Sequence, residues 1–599
     1  MKVSPAMFCR LLRSVVLGLS ALVVIPGVEG QITTDYLMFS DPDFARPVRE
    51  PQFSEKLSEV WLQALSRPEA DLQRMSAESM ARGAKLGVPG LEKAIPRLQE
   101  LLVGAETHPA ARAGVAKALV ALDARQSAGA LASAAEKYPG DVRRICERAL
   151  GDWKHEASRK VWQERLGTAG TRHRDRVLAI RGLGLSEDAS LVPQMLELVQ
   201  GVLQPAEIRL EAALAVGRLK PEGLVGEAQQ LIEQKQGQSL VNRLAAARLL
   251  ARHRQPEAHA MLLKLAVDPE PAVAADALER LNDIDSNLVL PLAEEAMRNA
   301  DHLVRQQGLR AYVTLPTPGR MGPVTRLMDD LVPGVRQEVT AQLDKLLENS
   351  ELEPAIWQGT LAMLGQESWR GQEQAALLVG KHQYKPAAQR LFELQSIPRA
   401  EARVAAAWAL RRVAVPETVP LIFRRAEQLT RQRNGGPTLD GLDEQCAHLF
   451  EALAVMEFWQ AEALWRLYIP KQPVMGNLSR GAAIWALGKR FNGTSQPELA
   501  QQLVERLTDT GFPAEMENVR YSSAITIGRV LGNEQAGRMT EWVGESNLKT
   551  GQIVTSHALA VRWALMQLTG ADYPELQPVP YGKGGWFLEP TQNPYTGNQ

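Results

Sequence analysis

One group of acidic residues in this sequence has the spacing of a metal site. Asp283, Asp285 and Glu294 take positions one, three and twelve of a calcium-binding loop. The sixth position of such a loop requires a glycine for its sharp turn, and here it is Leu288. The pattern therefore favours a joint between helices, in which Asp285 or a polar neighbour caps the next helix, over a calcium site.

Motifs for zinc, phosphate and nucleophilic chemistry are incomplete. His155 and Glu156 begin a zinc-protease pattern, but Arg159 stands where the second histidine is required. The sequence has no phosphate-binding glycine loop and no Gly-x-Ser-x-Gly motif. Its cysteines have neither zinc-site nor haem-attachment spacing. We therefore predict no metal, no cofactor and no catalytic residues.

The first thirty residues have the pattern of an export signal. Lys2, Arg10 and Arg13 precede an apolar run from Val15 to Ile25, and a short segment ends at Gly30. A run of that length is too short to span a bilayer, which favours cleavage near Gly30 over the alternative of an uncleaved anchor. We expect the mature chain to have no integral membrane span and to be extracytoplasmic, either periplasmic or secreted.

Charge and cysteine content argue against two further possibilities. The formal net charge of −1 becomes −3 once residues 1–30, with three basic and one acidic residue, are removed. A chain with this charge has no general attraction for nucleic acid, which we exclude as a partner. Cys146 and Cys446 remain, far apart in sequence, and we expect no disulfide between them.

A frame that begins with an arginine recurs through most of the chain. In GDVRRICERALG, Arg143 is followed by Cys146 at +3, Glu147 at +4, Leu150 at +7 and Gly151 at +8. Offsets +3, +4 and +7 share one helical face, so each frame predicts an amphipathic helix with small residues where a neighbour approaches. The arginines that anchor these frames are Arg112, Arg143, Arg176, Arg209, Arg243, Arg305, Arg336, Arg403, Arg480 and Arg520.

The spacing of the anchors predicts stacked helix pairs. Up to Arg336 successive frames are 31 to 34 residues apart when a frame at Ala274, which lacks the arginine, is counted. Later frames are spaced more loosely, by 31 to 42 residues, with weaker copies at Gln372, Gln445 and Ser556. Each interval has room for a second helix, and proline and glycine concentrate in the joints. We count about fifteen antiparallel pairs. Each anchor guanidinium is expected to bind joint carbonyls or an acidic residue of the adjacent unit.

These frames resemble the HEAT-repeat family, in particular the short bacterial form also found in phycobilisome lyases, whose units read D-x-x-V-R-x-x-A-x-x-A-L. The best matches are GDVRRICERALG, DHLVRQQGLRAY and VPGVRQEVTAQL. The resemblance covers residues 54–570 and implies an all-α fold, a right-handed α-solenoid in which the second helix of each pair lines the concave side. It implies little about function, because solenoids have unrelated roles.

Two segments flank the repeats. Residues 31–53 form an extended N-terminal segment with several aromatic residues, and residues 571–599 form a tail rich in proline, glycine and aromatic residues. We expect the tail to lie along the last repeats. The N-terminal segment is expected either to dock in the same way or to recruit a partner.

The +5 position of the frames is the candidate for partner binding, since it lies well away from the apolar stripe and should face solvent on the concave side. It holds Lys117, Arg148, Arg181, Arg248 and Arg310 in the early frames, interrupted by Leu214 and Glu279, and Trp408 and Trp485 in the later ones. Arginine and tryptophan are enriched at interface anchors. One hypothesis is a groove with a basic ridge and an aromatic patch that binds an acidic or extended protein segment; the alternative is ordinary solvated helix surface.

The predicted function is that of an exported, non-enzymatic HEAT-repeat scaffold or adaptor that binds proteins along its concave surface. Two alternatives stay open. One is a structural subunit of an envelope or secreted assembly, and the other, suggested only by the repeat type, is an enzyme related to bilin lyases.

Overall fold

The computed structural model describes residues 34–47, 53, 56–168, 170–234, 239–435, 440–471 and 476–578. The predicted signal peptide (1–30) and the part of the tail beyond 578 lie outside the described residues. Within the described ranges the chain has 31 α-helices, joined by short 3-10 helices, and no β-strand. The all-α prediction is confirmed.

The chain divides into two compact units, and each is described by itself. Residues Met1–Pro42 and Pro316–Gln535 belong to one, here called the groove unit. Residues Asp43–Leu315 and Ala536–Gln599 belong to the other, here called the ridge unit.

The ridge unit holds the first sixteen α-helices and the last three. They are α1 (Leu57–Leu65), α2 (Ala70–Lys85), α3 (Ile95–Val103), α4 (Pro109–Ala121), α5 (Ala128–Lys137), α6 (Asp141–Asp152), α7 (Glu156–Gly167), α8 (His173–Leu185), α9 (Val192–Gln200), α10 (Ala206–Leu219), α11 (Val225–Glu233), α12 (Ser239–Leu249), α13 (Pro256–Leu265), α14 (Pro271–Ile284), α15 (Leu290–Ala296), α16 (His302–Thr314), α29 (Ala536–Val543), α30 (Glu545–Thr550) and α31 (Ser556–Thr569).

The groove unit holds the twelve helices between them. They are α17 (Pro318–Arg326), α18 (Pro333–Leu346), α19 (Glu353–Gly365), α20 (Trp369–His382), α21 (Ala388–Glu393), α22 (Ala400–Val413), α23 (Val419–Gly435), α24 (Leu442–Val455), α25 (Glu462–Arg466), α26 (Asn477–Arg490), α27 (Pro497–Leu507) and α28 (Glu517–Arg529).

Short 3-10 helices lie in the joints and in the N-terminal segment. They are Leu37–Phe39, Leu91–Ala94, Arg125–Ser127, Ala189–Leu191, Ser286–Leu288, Leu327–Asp329, Lys385–Ala387, Leu394–Ser396, Pro416–Thr418, Trp459–Ala461 and Asn533–Gln535. In the joint before α15, the Asp285 carboxylate accepts a hydrogen bond from the Asn287 amide at 2.9 Å. Asp285 therefore caps the turn, as expected for a joint.

Consecutive helices pair, and the pairs stack. From α1 to α28, each odd-numbered helix packs against the even-numbered helix that follows it, and the joints are short enough to make the two antiparallel. Within each unit, each of these even-numbered helices also packs against the next even-numbered helix. This is the architecture of an α-solenoid of HEAT-type helix pairs. Fourteen pairs followed by α29–α31 agree with the predicted number.

Helix α10 illustrates how the frame builds this stack. Its +3, +4 and +7 residues, Ala212, Ala213 and Val216, are fully buried between neighbouring helices. Proline begins several of the even-numbered helices, for example at Pro271 and Pro333, where its fixed φ angle suits the first turn and its missing N–H costs no hydrogen bond. Local sequence and packing thus agree on where each helix starts and which side it buries.

Most anchor guanidinium groups donate hydrogen bonds to main-chain carbonyls at the end of the preceding helix or in the joint. The anchors that do so are Arg112, Arg143, Arg209, Arg305, Arg336, Arg403, Arg480 and Arg520. Carbonyls in the last turn of a helix have no partner within that helix. The arginine supplies the missing donors, which explains why a charged residue opens an apolar stripe.

Some anchors also join one pair to the next. Arg143 donates to the Ala135 carbonyl at 2.7 Å and forms an ion pair of 2.6 Å with Asp175 in the following even-numbered helix, α8. Arg243 forms an ion pair with Asp268 at 2.7 Å. Arg176 differs, because among the described residues its side chain forms neither a hydrogen bond to a joint carbonyl nor an ion pair.

Neither cysteine beyond the predicted signal is positioned for disulfide or redox chemistry. Cys146 and Cys446 are buried free thiols, and burial raises the pKa of each to about 12. Among the described residues, no helix combines the length and apolar character that crossing a bilayer requires.

The +8 glycine of the frame allows close helix approach. A Cβ atom at Gly217 would lie 2.2 Å from the Arg248 carbonyl oxygen of the next even-numbered helix. A backbone oxygen has little freedom to move, so the spacing of α10 and α12 requires that this position carry no side chain.

We predict that Gly217→Ala lowers the free energy of unfolding by about 1–3 kcal/mol, because the added methyl group forces the two helices apart. Urea denaturation followed by far-UV circular dichroism measures the change. Gly226→Ala in α11 is the matched control, since a Cβ there meets no atom within 4 Å. It should be neutral or slightly stabilising. Equal effects of the two substitutions would contradict the close-approach explanation.

Candidate functional site

The side chains of the predicted basic ridge are only partly exposed, and only some of them lack an ion-pair partner within the described residues. Lys117, Arg148 and Arg181 are exposed, whereas Arg248 and Arg310 are half-buried. Lys117 and Arg148 form no ion pair within the part of the chain that the structure describes. The +5 offset therefore points toward solvent in the early frames, as the helical wheel indicates.

The other three ridge cations are already paired within the ridge unit. Arg181 donates to both carboxylate oxygens of Glu211 at 3.0 and 2.9 Å. Arg310 pairs with Asp283 at 2.9 Å. Arg248 lies 3.4 Å from Asp276 in the next even-numbered helix. Three of the five ridge cations are therefore already paired with carboxylates of the same unit, which reduces the attraction of the ridge for an acidic partner.

The expectation that Trp408 and Trp485 face solvent is wrong. Their exposed fractions are 3% and 1%. Both lie on even-numbered helices of the groove unit, but the surface they share is covered by residues 34–42 of the same chain. We call this surface the groove; it is formed by α22, α24, α26 and α28. The N-terminal segment thus docks on the repeats.

The docked segment is compact and has a carboxylate near each end. Residues Leu37–Phe39 form a single 3-10 turn, and the Ser40 and Asp41 amides donate to the Leu37 carbonyl at 2.9 and 2.8 Å. The turn places Asp35 and Asp41 on either side of Met38. The groove meets these three residues with three different kinds of surface.

Asp35 binds between a tryptophan and a buried arginine. One of its carboxylate oxygens accepts hydrogen bonds from Trp408 Nε1 and from Arg411, both at 2.6 Å. Burial opposes ionisation of Asp35, but the Arg411 charge and the two hydrogen bonds outweigh it, so the pKa of Asp35 lies below its usual value. The Arg411 side chain is fully buried and also pairs with Glu451 at 2.7 Å.

Met38 fills the middle of the groove. It is fully buried, and its amide donates to the other carboxylate oxygen of Glu451 at 3.0 Å. A Cβ atom at Gly481 would lie 2.9 Å from the Met38 sulfur, so the glycine makes room for this side chain. Glu451, itself completely buried, therefore links the segment to Arg411.

Two aromatic side chains of the segment pack on aromatic residues of the groove. The Tyr36 ring stacks on the His448 ring with centroids 4.4 Å apart and planes within 8°. Phe39 meets Tyr521 edge to face at 5.8 Å, and the Tyr521 hydroxyl donates to the Phe39 carbonyl at 3.3 Å. These contacts fix the orientation of the segment as well as its depth.

Asp41 binds a second pair of tryptophan and cations. Trp485 Nε1 donates to the Asp41 carbonyl at 2.9 Å and lies 3.1 Å from its carboxylate. Arg529 pairs with the same carboxylate at 2.8 Å, and the Lys489 ammonium lies 3.7 Å away. Both ends of the segment are therefore held by an indole N–H together with positive charge.

The arrangement is suited to recognition. Arg411, Glu451, Lys489 and Arg529 each bind the segment directly. Sequence reasoning missed Arg411, Glu451 and Arg529. A signal for Glu451 was present, since it is the one charged residue inside the apolar run CAHLFEALAV, and such a residue is buried only with a partner.

The two other parts of the flanking segments that the structure describes lie in the ridge unit. Phe44 stacks near Trp563 with centroids 6.4 Å apart. In the tail, Arg562 donates to the carbonyls of Tyr573 and Pro574 at 3.2 and 3.0 Å, and the Gln577 amide donates to the Gly551 carbonyl at 3.0 Å. Residues 571–578 thus lie along the last helices.

No protein family and no curated protein matches the sequence. Among solved structures, the chain is similar to importin beta in an ammonium sulfate condition, with 14% identity, a TM-score of 0.43, and coverage of 85% of this chain and 72% of that chain. For Kap95p with RanGDP the identity is 12% and the TM-score 0.41, with coverage of 86% of this chain and 66% of that chain. For Kap121p bound to Ste12p the identity is 11% and the TM-score 0.45, with coverage of 86% of this chain and 56% of that chain.

The chain thus spans between about half and three quarters of the length of these proteins. At this identity and these TM-scores, the likeness carries no inference about partners or function. The functional conclusions therefore rest on the groove.

We predict that docking of residues 34–42 weakens as the pH falls below about 6.5. Burial lowers the pKa of His448; Glu451 and Asp35 favour the charged ring and Arg411 opposes it, but desolvation dominates. In the undocked state the ring loses the Tyr36 stack and its pKa returns toward its usual value. The undocked state then binds more protons below that pH, so acid favours release. Asp35, with its lowered pKa, adds a loss only below about pH 4.

An environment-sensitive dye on Ser40→Cys measures the release, since Ser40 is exposed and Cys146 and Cys446, the two cysteines beyond the predicted signal, are buried. The emission should shift between about pH 7.5 and 5.5 in the otherwise wild-type chain, across the usual histidine range. It should stay constant over that interval in His448→Gln, whose side chain does not titrate. The same pH profile in both proteins would contradict the role given to His448.

Proposed function

We propose that this protein is a non-enzymatic α-solenoid scaffold that binds protein segments on the surface formed by its even-numbered helices. The observation that carries the proposal is the groove itself. It holds residues 34–42 through side-chain pockets, a buried main-chain hydrogen bond and aromatic stacking, which are contacts suited to binding a short protein segment.

Binding rather than catalysis is supported by the state of the reactive groups. Both Glu451 carboxylate oxygens accept hydrogen bonds. His448 is buried beneath Tyr36 with its pKa lowered, and burial raises the pKa of the Cys446 thiol. A general base must reach substrate and a nucleophile must be activated. The groove instead commits these groups to packing and to charge neutralisation.

Export is part of the proposal. It is supported by the basic, apolar and small-residue order of residues 1–30, and two buried free thiols are compatible with an oxidising compartment because they are inaccessible to oxidants. The proposed location of the mature protein is the periplasm or the extracellular space.

The ridge unit supplies the positions for a direct test. We predict that a photo-crosslinking amino acid at Lys117 or Arg148, both exposed on even-numbered helices, captures a small set of discrete proteins in the native cell extract. Matched controls at Lys160 and Lys264, exposed on odd-numbered helices, should not capture the same proteins.

The identity of the captured protein separates the functions. Discrete clients restricted to the even-numbered helices support the scaffold. Crosslinks only to other copies of the chain would support a structural subunit, and a chromophore-bearing client would support the lyase alternative. The same capture at all four positions, or at none, would contradict the proposed binding surface.

A further inference from the structure

We infer that the groove binds, in trans, a segment of a partner protein. That segment has a methionine flanked by aromatic side chains, with one carboxylate three residues before the methionine and another three residues after it. Residues 34–42 of this chain are the built-in competitor for that segment. This inference rests on the proposed function, because it names the ligand class of the same surface. It is argued from charge, from shape and from the way the docked segment is held.

Charge is the first argument. Of the groove side chains that bind the segment, Arg411, Lys489 and Arg529 are cations and Glu451 is a carboxylate. Because Glu451 pairs with Arg411, removal of the segment leaves unpaired positive charge at the Asp41 end, where Asp41 lies 2.8 Å from Arg529. At the other end, Asp35 accepts hydrogen bonds from Trp408 and from buried Arg411, both at 2.6 Å. A ligand that replaces the segment must bring an acidic group to the Asp41 pocket and an acceptor to the Asp35 pocket, since a buried cation without a partner and a buried donor without an acceptor are both costly.

Shape is the second argument. Between the charged ends lie the slot left by Gly481, which accepts the Met38 side chain, and the His448 and Tyr521 rings, which accept Tyr36 and Phe39. An empty groove would expose these surfaces together with two indole rings. Large apolar patches rimmed by charge mark sites for protein partners. The slot and rings therefore select a methionine with aromatic neighbours.

The third argument is that the docked segment is held by the groove rather than by its own structure. Its internal hydrogen bonds are those of one 3-10 turn around Leu37. The contacts of its side chains with α22, α24, α26 and α28 supply the rest. Nine residues held in this way can leave without unfolding a helix, and a partner with the same chemistry can replace them.

Tethering explains why the competitor matters. A covalently linked ligand acts at an effective concentration near the millimolar range, and the apparent affinity of any partner is then multiplied by the small fraction of grooves that the segment leaves free. The segment thereby restricts binding to partners that match both carboxylate pockets and the methionine slot. Weaker acidic peptides are excluded.

The test uses the full chain and a fluorescent peptide with the sequence of residues 34–42, TDYLMFSDP. The released variant carries Asp35→Asn, Met38→Ser and Asp41→Asn, which remove the contacts of the tethered segment and leave the groove unchanged. We expect the peptide to bind the released variant at least about tenfold more tightly than wild type, measured by fluorescence anisotropy. A peptide with both aspartates replaced by asparagine should bind neither protein.

A second variant checks that binding occurs in the groove. Adding Trp485→Phe and Lys489→Gln to the released variant removes one indole donor and one cation at the Asp41 pocket, and both sites keep side chains of similar shape. Peptide affinity should fall by about fivefold or more. Unchanged affinity would overturn the assignment of that pocket, with circular dichroism confirming that the variant is folded.

Other outcomes overturn the inference outright. One is a folded released variant that does not bind the peptide. Another is equal binding by the asparagine peptide. A third is a wild-type dimer that dissociates in the released variant, because the segment would then join two copies of the chain. None of these depends on crosslinking at Lys117 or Arg148, so the failure of this inference and the failure of the scaffold function are distinguishable.

Discussion

Much of the stack depends on hydrogen bonds from arginine to the carbonyls at the ends of odd-numbered helices. Arg209 shows the constraint most clearly, since its side chain is fully buried and donates to the Val199 carbonyl at 2.8 Å. Without that donor a buried carbonyl is left unsatisfied, at a cost of about 1–3 kcal/mol. Where it is present, the arginine thus fixes how the even-numbered helix is rotated, so that its +3, +4 and +7 residues pack and its +5 residue points away from the core.

The groove forms where the +5 residue of the frame is tryptophan, because the rotation of the even-numbered helices brings the +5 side chains to a shared surface. Trp408 and Trp485 come to one surface, and each supplies an indole N–H to an aspartate of the N-terminal segment. The fully buried Arg411–Glu451 pair lies between them. A buried ion pair contributes little to stability compared with apolar packing, and here its role is specificity, because both partners also bind the segment.

The repeat period, the joints between helices and the role of the anchor arginines could be predicted from the sequence because they arise from contacts between neighbouring helix pairs. The covering of Trp408 did not follow, since Asp35 is 373 positions away and a helical wheel shows which side a residue occupies but not what lies on it. For the same reason the sequence predicts a free Arg181, although its partner Glu211 lies in the next helix pair. Long-range pairs between charged residues leave no periodic signal.

Hydrogen–deuterium exchange of residues 34–42 tests the central claim most directly. The Met38 amide is bonded to buried Glu451, and the Ser40 and Asp41 amides are bonded within the docked turn. At neutral pH these amides should exchange far more slowly than in the free nine-residue peptide. Exchange in the intact chain at the rate of the free peptide would show that the groove does not hold its own N-terminal segment.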